Sequence, residues 1–252
     1  MKIKLVIFLA LLTVILSGCG KKGALVRPET LVPAAVADLR VTQKGEHFLV
    51  TWSRPSKEEG GKPLRDLAGF RLFKRDVLPP GEDCEECPTA YRLALAVDLE
   101  YPKGVMILGS QYIFFDEDTV IGKAYRYKIY SNNKEGAESR ISNRAGKKKL
   151  PLPAPPELKA SSSPISIELK WNANEASLKG SIIGYNIYRK KDGEAFLVFP
   201  FNPVPIRENV FEDTRVEPGV RYSYVIRTIV ESDGETAESG PSNEVQGALT
   251  EP

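Results

Sequence analysis

The stretch GKAYRY at residues 122–127 recurs in the second half of the chain as GVRYSY at residues 219–224. An aspartate stands six residues before the glycine in both places, at Asp116 and Asp213. In YRYKI, at residues 125–129, apolar residues alternate with cationic ones. A period of two with polar outer positions is typical of an antiparallel strand that buries one face. The stretch therefore predicts β structure.

Further landmarks repeat in the same order in both halves, which makes the chain an internal duplication. A tryptophan closes an early strand-like run in each half, at Trp52 and Trp171. A strand-like pattern of aromatic residues led by a glycine follows, at residues 69–75 and 184–190. Each half then closes with the pattern Glu-Ser-x-x-Ser-Asn, at residues 138–143 and 238–243. No long stretch after the N-terminal segment has helical periodicity, so the fold class is predicted to be all-β.

This set of landmarks resembles fibronectin type III domains, and the resemblance covers residues 34–148 and 154–248. It implies two tandem fibronectin type III, or immunoglobulin-like, β-sandwiches. The proline-rich residues 149–153 between them predict an extended, semi-rigid linker that holds the two sandwiches apart.

The same resemblance assigns structural roles to the repeated aromatic residues. It implies that Trp52 and Trp171 fill the space between packed sheets. It also implies that Tyr125 and Tyr222 form tyrosine corners, in which the hydroxyl bonds a backbone group upstream. We expect these four residues to hold the fold together rather than to bind a ligand.

The N-terminal segment has a basic start, an apolar run too short to span a bilayer, and the box Leu16, Ser17, Gly18 and Cys19. The box resembles the lipobox of bacterial lipoproteins. That resemblance implies a signal peptide over residues 1–18 that leads into a lipidated cysteine. The alternatives are an ordinary secreted protein and an uncleaved membrane anchor.

The lipobox resemblance also implies where the protein is held. A diacylated Cys19 supplies the two acyl chains that stable anchoring needs, and residues 19–33 are predicted to be a tether. Gly20 is not the aspartate that signals retention in the inner membrane. The expected location is the cell envelope, on the periplasmic leaflet of the outer membrane, with membrane lipid contacted through Cys19.

The first copy is the longer one, with 73 residues from Trp52 to Tyr125 against 51 from Trp171 to Tyr222. Most of the difference falls between residues 77 and 110. Long loops on a rigid scaffold are where function concentrates, so this insertion is the candidate site for contact with another protein.

The insertion contains the pair Cys84 and Cys87, set among acidic residues. In an oxidising compartment the pair is expected to form a local disulfide. Half of a metal site and a redox motif are the alternatives. Tetrahedral zinc needs four ligands, however, and neighbouring acids raise a thiol pKa instead of lowering it.

Charge and residue types argue against several functions. The net charge is +2, and the longest basic run, residues 147–149, is predicted to be a solvated boundary and not a nucleic-acid patch. His47 is the only histidine, and the acids at residues 58–59 and 116–118 are predicted to lie in solvated turns or to cap the backbone. We therefore expect no enzyme activity, no catalytic residue, no metal and no cofactor other than the covalent lipid.

The sequence thus favours a non-catalytic protein-interaction module that binds an unidentified envelope protein. The alternatives are a structural spacer or assembly accessory and a glycan-binding module, although glycan binding would need exposed aromatic rings. Phe199 and Phe201 lie in a proline-broken apolar stretch. They are candidates for partner binding, with core or edge packing as the other interpretation.

Overall fold

A computed structural model describes residues 30–172 and 180–251 of the chain, and these ranges form fifteen β-strands without an α-helix. The prediction of an all-β fold class is therefore confirmed. Nor do these ranges hold a helix long and apolar enough to cross a membrane. Leu16, Ser17, Gly18 and Cys19 lie outside the described residues.

In chain order the first half contributes β1 (Arg40–Lys44), β2 (His47–Ser53), β3 (Leu67–Val77), β4 (Arg92–Asp98), β5 (Met106–Leu108), β6 (Gln111–Asp116), β7 (Ala124–Asn133) and β8 (Ala145–Lys148). The second half contributes β9 (Glu157–Ser162), β10 (Ile167–Asn172), β11 (Ser181–Lys191), β12 (Val210–Asp213), β13 (Tyr222–Ser232), β14 (Glu235–Glu238) and β15 (Val245–Gly247).

Each half places two groups of antiparallel strands around its own core. In the first half these groups are β4-β3-β7-β8 and β1-β2-β6-β5, and in the second they are β9-β10-β12 and β11-β13 with β14 and β15 on β13. Strand β7 alternates regularly between buried and partly exposed positions, as its period of two predicts.

The repeated tryptophans lie at the centres of the two cores. Trp52 is fully buried and packs against Phe70 and Tyr112 at ring-centroid distances of 5.7 Å. Trp171 packs against Tyr185 at 5.2 Å in the second core. Aromatic rings in these arrangements contribute to stability beyond the area that they bury.

The tyrosine corners predicted at Tyr125 and Tyr222 form in both copies. The Tyr125 hydroxyl accepts the backbone N–H of Val120 at 3.0 Å, and the Tyr222 hydroxyl accepts that of Glu217 at 3.2 Å. The preceding glycines have φ of +85° and +75°, in the left-handed region that favours glycine.

The closing Ser-x-x-Ser-Asn pattern also has a structural role. Ser142 accepts the backbone N–H of Ile129, and Ser242 accepts that of Ile226, both at 3.0 Å. The Asn143 side chain accepts from the backbone N–H of Leu39 and donates to its carbonyl at 2.9 and 2.8 Å. These side chains satisfy backbone groups where strand pairing ends.

The expectation that the linker holds the halves apart is wrong. Strand β1 pairs in parallel with β14, Gln43 opposite Ala237, and joins the two halves in one eight-stranded sheet. The side chain of Gln43 makes two 2.8 Å hydrogen bonds with the backbone of Leu150, which is buried beside Val230 and Ala237. Pairing two free strand edges and burying an apolar linker residue stabilises this joined arrangement.

The basic run at residues 147–149 is not the solvated boundary that the sequence predicts. Lys147 forms an ion pair with Glu235 of the second half at 2.7 Å. Lys149 is buried and donates to the Glu46 carbonyl and to the Thr119 hydroxyl. Lys147 thus belongs to the contact between the halves, whereas the acceptors of the buried Lys149 ammonium lie in the first half.

Candidate functional site

The insertion that distinguishes the first half consists of an ordered loop followed by β4 and β5. Residues 78–91, here called the acidic loop, leave β3 and return into β4. Cys84 and Cys87 are joined by a disulfide inside this loop, with their Cα atoms 5.4 Å apart. The predicted disulfide is therefore present. In the part of the chain that the structure describes, no group of three or more His, Cys, Asp and Glu side chains could hold a metal ion.

The acidic loop lies on the cationic face of the sheet formed by β3, β7 and β8. Arg126 projects from this face and forms an ion pair with Glu85. Arg144 contacts Glu85 at 3.2 Å and Glu86 at 2.6 Å. Burial opposes ionisation of Glu85, but the Tyr91 hydroxyl and the two guanidinium groups outweigh it and hold the pKa of Glu85 below its usual range.

A second group of contacts fixes the two ends of the acidic loop. Asp83 pairs with the buried guanidinium of Arg75 and accepts the backbone N–H of Leu78 at 3.0 Å. The Arg75 hydrogen bond holds the pKa of Asp83 below its usual value. At the other end, Tyr91 donates to Glu85 at 2.7 Å, and the Lys128 ammonium lies 4.0 Å from the centre of the Tyr91 ring. The loop is thus held to the sheet along its length.

Two buried acidic sites occupy equivalent places in the two halves, and sequence reasoning missed them. Asp116, expected in a solvated turn, is buried and accepts from Tyr127 at 2.6 Å and from Lys74 at 2.7 Å. The expected backbone cap is present, since Asp116 accepts the backbone N–H of Asp118. The expectation that Asp116 is solvated is wrong. Burial, and then the hydrogen bond to Asp116, raises the pKa of Tyr127 far above its ordinary range.

The equivalent site in the second half contains Asp213, Tyr224 and Arg189. Asp213 accepts from Tyr224 at 2.9 Å and from Arg189 at 2.8 Å. A sequence signal for both sites exists, since a basic residue follows the strand-leading glycine by five positions in each copy. We interpret the repeated Asp, Tyr and cation as structural, because in each half the carboxylate pairs with the hydroxyl and with the cation.

Phe199 and Phe201 are both half-buried. Phe201 lies between the guanidinium groups of Arg189 and Arg215, at 4.0 and 4.2 Å from its ring centre, and packs edge-on against Phe211. Phe199 lines a cavity of about 260 Å³ between the halves. Both rings thus make edge or interface contacts within the chain, and their role in binding a partner stays a prediction.

Lys44 projects into the same cavity and connects the halves. Its ammonium donates to the Val198 carbonyl and lies 3.9 Å from the centre of the Tyr188 ring. Tyr188 in turn donates to Glu238 at 2.8 Å. Burial lowers the pKa of Lys44 to about 8, against the opposing influence of Glu238.

Comparisons with known proteins find similarity to solved structures alone. No family model matches the chain, and no curated protein matches it. Among solved structures, the FN1–FN3 domains of chicken CNTN1 match 90 % of this chain and 68 % of that one, at 17 % sequence identity and a TM-score of 0.36. The chain itself has an all-β fold of several sheets, and its tyrosine corners resemble those of immunoglobulin-like domains.

Proposed function

We propose that this protein is a non-catalytic interaction module with two fibronectin type III domains, held in the cell envelope by a lipid on Cys19. One observation carries the proposal. The insertion that makes the first copy unlike its duplicate forms a loop fixed by a disulfide and by ion pairs to the sheet beneath it. A loop so held presents the same surface before and after binding, which reduces the entropy lost on association.

The charge of the acidic loop suggests the kind of partner. Asp83 and Glu85 pair with arginines of the sheet, Glu86 pairs with Arg144 but keeps an exposed side chain, and Glu82 is exposed. An exposed acidic edge attracts a basic patch on another envelope protein and speeds the encounter with it. The buried tryptophans give no support to a glycan platform.

The proposed anchor sets how far the module reaches from the membrane. Residues 30–34, which include the end of the predicted tether, bond to residues 57–60 of the first half through backbone hydrogen bonds. The ten residues 20–29 then separate Cys19 from the first bonded residue. At about 3.3 Å for each residue they span at most about 33 Å, so the module works close to the membrane.

The test is capture from cross-linked envelopes with the full chain and two single-substitution variants. Glu82→Lys reverses an exposed charge of the acidic loop and leaves the Arg144–Glu86 ion pair that holds the loop to the sheet intact. Glu208→Lys reverses an exposed acid in the second half and is the matched control. We expect the loop variant to lose a specific protein that the wild type and the control both capture. An identical set of captured proteins would contradict the proposal.

A structural spacer is the second candidate, and a different observation favours it. The β1–β14 pairing makes one sheet continuous through both halves. This pairing fixes both the distance between the halves and their relative orientation. A spacer predicts that the loop variant behaves as the wild type, whereas Gln43→Ala, which weakens the junction, impairs assembly.

A further inference from the structure

Strand β5 exposes a run of apolar side chains that only the first half has. Its three residues, Met106, Ile107 and Leu108, are 43–47 % exposed. The strand lies at the end of its sheet, where β6 is the one described strand that pairs with it. In the second half β12, the counterpart of β6, is itself the end of its sheet. The exposed apolar strand is therefore an addition to the half that follows the tether, and a contiguous patch of this kind marks a contact surface.

The tether enters the first half at the end where β5 lies. The backbone N–H of Arg54 donates to the Ser110 carbonyl at 2.9 Å, which sets the end of β2 beside the turn that follows β5. Three residues further along, the Lys57 carbonyl accepts the backbone N–H of Ala34, the residue after the tether, at 2.9 Å. Three residues span at most about 11 Å. We call this end of the first half the anchor end.

The membrane is the surface that the proposed anchor brings to β5. With a lipid on Cys19, the ten residues 20–29 keep the anchor end within about 33 Å of the bilayer. A short tether gives the membrane a high effective concentration at the strand, so a weak preference for lipid is enough to hold the strand there. Leu31, which is 44 % exposed where the tether meets the first half, adds a fourth apolar side chain at this end.

The charges at the anchor end oppose one another. Arg54 and Lys57 are exposed there, and so is Asp38, which accepts the backbone N–H of Ser53 at 3.0 Å. Glu59 is half-buried and adds a second acid. Attraction to anionic headgroups therefore contributes little, and the apolar side chains of β5 decide what this end binds.

We infer that β5 rests on the membrane and inserts the side chains of Met106, Ile107 and Leu108 into the lipid interface. The unpaired backbone groups of an edge strand need water or headgroups as partners, so the strand stays at headgroup level and the side chains alone reach the acyl chains. The inference rests on the lipid anchor of the proposed function and deepens it.

This docking fixes how the acidic loop is presented. Strand β3 begins at the anchor end, after residues 54–66, and ends at the acidic loop. Its eleven residues, at about 3.3 Å each, place the loop roughly 30 Å from the anchor end. The acidic loop therefore faces away from the bilayer, towards other envelope proteins.

The test places one fluorophore on β5 of the full, lipidated chain in vesicles. Because Cys84 and Cys87 form a disulfide and Cys19 carries the lipid, an introduced cysteine is the one reactive thiol. Leu108→Cys, labelled with nitrobenzoxadiazole, is placed in phosphatidylcholine vesicles that contain lipid spin-labelled near the top of the acyl chain. Ile121→Cys, 56 % exposed at the opposite end of the same half, is the matched control. We expect the label at position 108 to shift to shorter wavelength and to lose most of its fluorescence, and the label at position 121 to do neither.

Flotation of the vesicles reports on the anchor separately from the docking. A chain that floats with the vesicles without quenching at position 108 refutes the docking of β5 and leaves the anchor standing. A chain that does not float refutes the anchor, and this inference falls with it. A wavelength shift without quenching means that β5 is buried against protein, a second copy included, and refutes membrane docking. Equal quenching at the two positions refutes it as well.

A charge on β5 supplies the second test, with the label kept at position 108. Met106→Asp is expected to abolish the quenching, whereas Ile121→Asp is expected to leave it unchanged. Both positions are exposed, so urea unfolding of each variant is expected to match that of the wild type, which separates lost docking from misfolding. Phosphatidylglycerol in the vesicles is expected to change the quenching little. Full quenching in Met106→Asp, or quenching that requires phosphatidylglycerol, would overturn the inference.

Discussion

Tyr127 donates its hydroxyl hydrogen to Asp116 across 2.6 Å inside the first core, where both residues are buried. The same relationship recurs between Tyr224 and Asp213 at 2.9 Å. A buried carboxylate requires a cation, which Lys74 supplies in the first half. Both copies therefore contain a buried polar site as well as an apolar core.

Removal of the first buried carboxylate is expected to destabilise the first half strongly. Asp116→Ala removes the nearer carboxylate of the Lys74 ammonium, whose side chain is 2 % exposed, and leaves only that of Asp118 at 3.7 Å. We expect a loss of about 3–5 kcal/mol in the free energy of unfolding, measured in urea. Asp213→Ala is the matched comparison, and it is expected to lose less because Arg189 is 19 % exposed. Equal losses in the two variants would argue against this explanation.

The tyrosine corners are expected to contribute equally in the two copies. Tyr125→Phe and Tyr222→Phe each leave one backbone N–H without its acceptor. We expect each to lower the free energy of unfolding by about 1 kcal/mol, with additive losses in the double variant. Thermal unfolding of the three variants checks this. A loss confined to one copy would show that the corners are not equivalent.

Lys44 is expected to make stability depend on pH. Because the pKa of Lys44 is lowered to about 8 in the folded chain, the ammonium loses its proton there near pH 8, whereas the unfolded chain keeps it to about pH 10. The unfolded state binds more protons between those values, so the free energy of unfolding rises with pH by about 2 kcal/mol. The groups nearest Lys44 are Glu238, Arg227 and Tyr188.

Urea unfolding of the wild type and Lys44→Met at several pH values between 8 and 10 measures this contribution. The variant is expected to lose most of the rise. Above pH 10 the raised pKa of Tyr188 favours unfolding, so the comparison is made below that value. Parallel curves for the two proteins would count against a depressed pKa at Lys44.

The lipid anchor predicts a clear difference in fractionation. Cys19→Ser removes the only thiol that the lipobox offers. We expect the variant to leave the membrane fraction and to incorporate no labelled palmitate, since the remaining tether has no acyl chain to insert. Retention of the variant in washed membranes would contradict lipid anchoring.

The sequence predicts the fold to the extent that its signals are local or repeated. The period of two at residues 125–129 and the six-residue spacing from Asp116 to Gly122 are visible without a structure. The pairing of Gln43 with Ala237 cannot be seen in the sequence, because it depends on how two folded halves meet. Neither β1 nor β14 has a local sequence feature that identifies its partner strand.

The same distinction applies to the candidate site. The disulfide between Cys84 and Cys87 follows from their spacing and the expected compartment. The docking of the acidic loop on the sheet does not follow from the local sequence, since its partners Arg126 and Arg144 come from later parts of the chain. Burial of Asp116 was missed because its neighbours are acidic, and only the distant Lys74 makes that burial stable.

Site-specific photo-cross-linking in intact envelopes tests the interaction proposal most directly. A photoreactive residue is placed at position 86 on the acidic loop, where the side chain is 77 % exposed, and at position 208 in the second half as the control. The proposal predicts one specific envelope protein linked through position 86 and absent at position 208. The same background pattern at both positions would contradict it.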